Sequence, residues 1–141
     1  MPIEERNRFK FRHWDKQINK MRYGDIQLSC DGNPFILEAT EKGLKVVDIE
    51  DVITMLCTGL KDAMGRLIYE NDILLSPDMD EPYRIIVEWD NEKGYIIKAW
   101  NGKEFEYALS DDEIEDLKSF EIIGNGYENP ELLEVENAGE I

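Results

Sequence analysis

The sequence predicts a mainly β fold, α+β in class only because one short helix is expected near 110–119. Three observations predict it. Apolar and polar residues alternate with a period of two in Arg8–Trp14, Ile26–Cys30 and Glu104–Leu109, the spacing that puts successive side chains on opposite faces of a strand. Turn signals such as Asp31-Gly32-Asn33-Pro34, Asp90-Asn91-Glu92-Lys93-Gly94 and Asn101-Gly102 recur at intervals that suit hairpins. The stretch from Cys57 to Ser76 interleaves turn residues and apolar runs in an order that dictates a backbone path.

Each element has its own local reason. In Arg8–Trp14 the pattern sets Phe9 and Phe11 on one face and basic groups on the other, and Trp14-Asp15 leads into a polar turn before Met21-Arg22-Tyr23. Ile26–Cys30, Phe35–Ala39 and Leu44–Val47, separated by Asp31–Pro34 and Glu41-Lys42-Gly43, complete an N-terminal β-meander. Asp48–Met55 has two readings. Ile49, Val52, Ile53 and Leu56 suit a short helix capped by Asp48, and the β-branched content suits a strand.

In the central stretch, Gly65 is placed to adopt the positive φ of a tight turn, and Asn71 is the non-glycine residue that best tolerates the left-handed region. Ile73-Leu74-Leu75 follows as a buried strand, then a loop over Ser76–Pro82. Arg84–Trp89, Tyr95–Trp100 and Glu104–Leu109 follow as strands. Five or so short strands from Ile73 onward are what a small, partly open barrel needs. Ser110 and Glu113 form a capping box ahead of Ile114, Leu117 and Phe120, which gives the short helix. Phe120–Asn125 returns as a strand, and Asn129-Pro130 stops the ordered chain. The expected divisions are 1–56, a β-rich subdomain; 57–133, the barrel; and 134–141, an acidic flexible tail.

The hydrophobic content of 42% is enough for a packed interior, while 16 basic residues against 32 acidic give a net charge of −16. So acidic a chain repels phosphate backbones as a whole, so nucleic acid is not expected as a general partner. Residues 1–23 carry seven basic and three acidic groups, and 110–141 one basic and eleven acidic. This asymmetry is expected to reflect solvated faces and a frayed acidic tail; the alternative is attraction between the two ends, within one molecule or between two, which leaves a homo-oligomer open. Cys30 and Cys57 are too few for a disulfide scaffold, lack metal-ligand spacing, and are expected as small buried side chains. No secretory apolar region and no run of roughly 18 apolar residues is present, so a cytoplasmic location is expected and no membrane.

Chemistry-bearing residues are few. His13 is the single histidine and is expected to be structural. Asp78, Asp80 and Glu81 share a loop without the calcium-loop pattern, and Gly124-Asn125-Gly126 is not followed by a phosphate-binding helix. No catalytic residue, metal site or cofactor is therefore expected. The aromatic residues Tyr83, Trp89, Tyr95 and Trp100 are the candidate contact residues of a barrel surface, and Arg8, Lys10, Arg12 and Trp14 the alternative face for stacking single-stranded nucleic acid.

Four stretches stand in an order that resembles the YopX family of small phage and prophage proteins. They are Phe11-Arg12-His13-Trp14-Asp15; Thr58-Gly59-Leu60-Lys61-Asp62 through Glu70-Asn71-Asp72-Ile73; Val87-Glu88-Trp89-Asp90; and Ile123-Gly124-Asn125-Gly126-Tyr127-Glu128-Asn129-Pro130-Glu131-Leu132-Leu133. His13 departs from the small residue usual in the family, and Asn71 from a frequent glycine; both suit the same backbone. The resemblance implies an SH3-like barrel in the second half, an extended Thr54–Thr58 and a phage or prophage origin in a bacterial host. It implies no activity, because the family has no established one. The expected function is a non-enzymatic module that binds a protein partner. The alternatives are an acidic nucleic-acid mimic that occupies a basic DNA-binding protein, and a weak single-strand binder acting through residues 8–23.

Overall fold

The computed structural model describes residues 10–80, 82–100, 104–108 and 116–133. The chain divides into two compact units, one of Phe11–Met55 and one running on from Leu56 with Lys10 joined to it.

In Phe11–Met55, β1 (Phe11–Asp15) and β2 (Lys20–Tyr23) form an antiparallel hairpin that sets Trp14 opposite Met21 and Arg12 opposite Tyr23. Its turn closes because the Asp15 carboxylate accepts the Gln17 amide at 2.9 Å and Asn19 takes a φ of 51°. β3 (Gln27–Leu28), β4 (Pro34–Thr40) and β5 (Gly43–Asp48) form a three-stranded sheet in that order. Trp14, Met21, Ile26 and Met55 are the buried apolar side chains of this unit.

Two sequence expectations change here. Alternation over Ile26–Cys30 predicts five strand residues, but β3 has two, because Ser29 turns the chain: its amide donates to the Asn33 carbonyl and its hydroxyl accepts the Asn33 amide. Cys30 is thereby exposed, whereas Cys57 is buried as expected. The two readings of Asp48–Met55 resolve as extended chain. Asp51, at a φ of 60°, interrupts the helical spacing, and β6 (Val52–Lys61) starts directly after it.

In the second unit the later part of β6 pairs with β7 (Leu67–Tyr69). The largest sheet is antiparallel and contains β8 (Asp72–Leu75), β9 (Arg84–Asp90), β10 (Gly94–Trp100), β11 (Glu104–Ala108) and β12 (Glu121–Asn125) in the order β11-β10-β9-β8-β12. Register aligns one face across the sheet: Ile122 stands opposite Leu74, Leu74 opposite Ile85, and Ile85 opposite Ala99. These residues join Ile68, Val87, Ile97, Leu117 and Phe120 in one apolar cluster, each large side chain contributing roughly 1.5–3 kcal/mol by leaving water. Of the helix expected near 110–119, only a helical turn over residues 116–119 falls among the described residues. A 3-10 turn, Pro130–Leu133, ends the described chain. Among the described residues no helix is long and apolar enough to cross a membrane.

Candidate functional site

The most distinctive sequence stretches build turns. Asp62 is the hub of one. Its Oδ1 accepts the amides of Met64 and Arg66 at 3.0 and 2.8 Å, and its Oδ2 accepts the Ile122 amide at 3.0 Å and the Arg66 Nε at 3.2 Å. Arg66 Nη2 also donates to the Ile122 carbonyl, so one carboxylate ties the β6–β7 turn to β12. Burial alone pushes the Asp62 carboxyl up, but the amides of Ile122 and Arg66 and the Arg66 charge outweigh it and hold it below the usual carboxylate value.

The Asn71 turn is similar in kind. Asn71 takes a φ of 74°, its amide donates to the Val87 carbonyl, and its own carbonyl accepts the Gly126 amide. Asp72 accepts the Tyr69 amide at 2.7 Å. Near the C-terminal end, Asn125 Oδ1 accepts the amides of Tyr127 and Glu128, and Asn129 Oδ1 accepts the Asn125 amide. A Cβ on Gly124 would collide with the Asn129 side chain, and one on Gly126 would stand 2.7 Å from Asn71 Oδ1. Both glycines are required by close approach.

The four aromatic candidates do not form one site. Trp89 and Tyr95 are cross-strand partners whose rings meet edge to face at 5.0 Å. Trp89 remains 51% exposed, and its indole N–H donates to Asn91 Oδ1. Tyr95 anchors the pair, its hydroxyl donating to the Cys57 carbonyl at 3.4 Å. Burial first, then the Glu70 charge and Cys57, push its phenol up to about 12. The pair continues the core face of β9 and β10 to the hairpin end, where Asp90 Oδ1 accepts the amides of Glu92 and Lys93 and fixes the turn. Tyr83 precedes the other end of β9, six residues or about 20 Å of strand away, and stacks edge to face on Phe120. The side chain of Trp100 lies outside the described residues.

The alternative nucleic-acid face is corrected. Alternation predicts the basic groups of the first strand on an open face, but Arg12 and Trp14 are 2% and 9% exposed. Both faces of β1 are covered from Arg12 to Asp15, so this pair offers no platform to a base. Lys10 is exposed, and Arg8 lies outside the described residues. His13 is fully buried beside Phe11, and neither ring nitrogen has a hydrogen-bond partner. Asp15, also buried, pairs with Arg22 at 2.8 Å. Sequence reasoning missed Asp15 and Arg22, although a carboxylate seven residues before a cation in a short hairpin, diagonal to it across the two strands, is a readable cross-strand signal.

Asp78 Oδ1 accepts the Asp80 amide in a local turn, and Glu81 lies outside the described residues. Among the described residues no group of three His, Cys, Asp or Glu side chains is placed to hold a metal ion.

Comparison with known proteins agrees with this architecture. The crystal structure of protein yopX from Bacillus subtilis is similar, with a TM-score of 0.60 and 22% identity over 90% of this chain and 99% of that one. Protein EF1440 from Enterococcus faecalis is similar with a TM-score of 0.54 and 24% identity, over 89% of this chain and 97% of that one. At these identities the likeness shows the fold. No curated protein matches. The family model described as YopX protein matches residues 10–134, nearly the whole chain. The chain belongs to the YopX protein family, whose function is uncharacterised.

Proposed function

We propose that this chain is a non-enzymatic binding module of phage or prophage origin that engages a protein partner through the Trp89–Tyr95 face. The observation that carries the reading is the state of Trp89: half exposed, yet fixed by edge-to-face packing on Tyr95 and by its hydrogen bond to Asn91. A rigid, amphipathic aromatic that loses little conformational entropy on binding is the kind of residue on which interface energy concentrates. Trp89 is not among the side chains of the buried apolar cluster, which it reaches through Tyr95. The SH3-like assignment of 57–133 belongs to the same proposal, supported by short antiparallel strands joined by tight turns.

The test compares tagged wild-type protein with Trp89→Ala in affinity purification from host cells, with washes at low and high salt. A partner that survives high salt on wild type and is lost on Trp89→Ala supports the reading. Equal recovery on both refutes it. The net charge of −16 favours a second reading, in which the chain mimics nucleic acid and occupies a basic DNA-binding protein. A partner released by salt and indifferent to Trp89→Ala would favour that one.

A further inference from the structure

The β4–β5 hairpin leaves a ladder of apolar side chains in solvent. Leu37, Leu44 and Val46 are 52%, 71% and 60% exposed. They share one face, because Leu37 stands opposite Val46 and Ala39 opposite Leu44. The other face carries Glu38 opposite Lys45. A small sheet with so little of either face covered has weak independent stability, and a patch of this kind marks an interaction surface.

The hairpin also ends in an open edge. β5 is the outer strand of the sheet and has no neighbour on its far side among the described residues. The Ile49 amide donates to the Pro34 carbonyl. Amides alternate in direction along an antiparallel strand, so Val47, Lys45 and Gly43 face β4 while Leu44, Val46 and Asp48 turn their N–H and C=O groups outward. Such a row is a template for another strand.

We infer that β5 pairs antiparallel with β5 of a second copy of this chain about a two-fold axis at Lys45. The choice of a second copy follows from the order of residues along the edge. A two-fold at Lys45 sets Leu44 opposite Val46 of the second copy and Val46 opposite its Leu44, which are the residues whose backbone groups point outward. It also brings Lys42, in the turn before β5, to Asp48 of the second copy, and Asp48 to its Lys42. Neither Lys42 nor Asp48 forms an ion pair with another described residue. The self-pairing therefore gives partners to two charges that lack them among the described residues and runs the apolar rows on as Leu37, Val46, then Leu44 and Ala39 of the second copy. The two Lys45 side chains meet on the opposite face as a like-charge pair that opposes the pairing, but each stands opposite its own Glu38, so the row runs acidic, basic, basic, acidic and sums to zero. The interface is isologous and closed, which ends growth at a dimer.

Sedimentation velocity across a concentration series tests this on the whole chain. The wild type is expected to dimerise reversibly, with about half of the chains paired near 100 µM. Lys42→Asp and Asp48→Lys each set like charges opposite one another at two symmetry-related places and should weaken the dimer about tenfold. The double variant Lys42→Asp/Asp48→Lys restores opposite charges and should return to within about threefold of wild type. Circular dichroism confirms that each variant is folded. Amide hydrogen exchange at Leu44 and Val46 should slow as concentration rises. A wild type still monomeric at about 1 mM, a dimer indifferent to the single variants, a double variant that is not rescued, or concentration-independent exchange at these amides would each overturn the inference.

Discussion

Replacing Asp62 by alanine tests whether the signature stretches are structural. The side chain is fully buried, with 0% exposure, and pairs with Arg66 at 3.0 Å. Its loss strands the amides of Met64, Arg66 and Ile122 and releases Arg66 from the turn. A buried donor left unpaired costs about 1–3 kcal/mol. The Ile122 amide carries the largest share because its partner is the fully buried Asp62 carboxylate, whereas water reaches the exposed Met64 and Arg66 part-way. The sum is about 3–4 kcal/mol, a large share of the ~5–15 kcal/mol that holds a domain together, and corresponds to a fall in Tm of about 10–15 °C. Asp62→Asn should fare little better, since an amide group in place of Oδ2 would face the Ile122 N–H. Urea unfolding followed by circular dichroism measures both. The folded carboxyl lies below its ordinary 3.8, so the wild-type contribution is present above that pH and lost as pH falls below it, and Asp62→Ala should flatten this limb. A loss under about 1 kcal/mol, or an unchanged acid limb, would refute the account of this turn.

Three further outcomes follow from the geometry. His13 is buried without hydrogen-bond partners, and burial first, with Arg22 adding and Asp25 opposing, holds its imidazole below 6.5. The unfolded chain therefore binds more protons, so stability should fall as pH drops through 6.5, and His13→Phe should remove that slope between about pH 7 and 5 in thermal melts. Gly126→Ala should cost about 1–3 kcal/mol in urea titrations because its Cβ meets Asn71 Oδ1. In an ultraviolet absorbance titration one phenol should ionise near 12, and Tyr95→Phe should delete that step; an unchanged profile would contradict the burial of Tyr95.

Local backbone was the most legible part of the sequence. Gly65 and Asn71 were expected in the left-handed region from residue type and spacing alone, and take φ values of 80° and 74°. The strands expected at Arg84–Trp89 and Tyr95–Trp100 form as β9 and β10, and Asp90 to Gly94 turns where its composition says it should. What alternation does not carry is which face is covered. The first strand shows the period of a half-exposed strand, yet packing covers Arg12 and His13 alike, a tertiary fact with no local signature. Long-range ties were equally hidden. Ile122 reaches Asp62 across 60 positions, and the need for glycine at 124 and 126 arises from Asn129 and Asn71. For the aromatic candidates, the sequence grouped Tyr83, Trp89, Tyr95 and Trp100 as one surface by residue type, which carries nothing of the distance between them. The structure keeps Trp89 with Tyr95 and gives Tyr83 to Phe120.

The binding role of the Trp89–Tyr95 face is tested most directly by titrating the recovered partner against wild type and Trp89→Ala and measuring Kd alongside Tm. The account predicts an affinity loss of at least about tenfold, consistent with truncation of an interface anchor, with Tm lowered only as far as a half-exposed side chain allows. Equal affinity for the two proteins would contradict it.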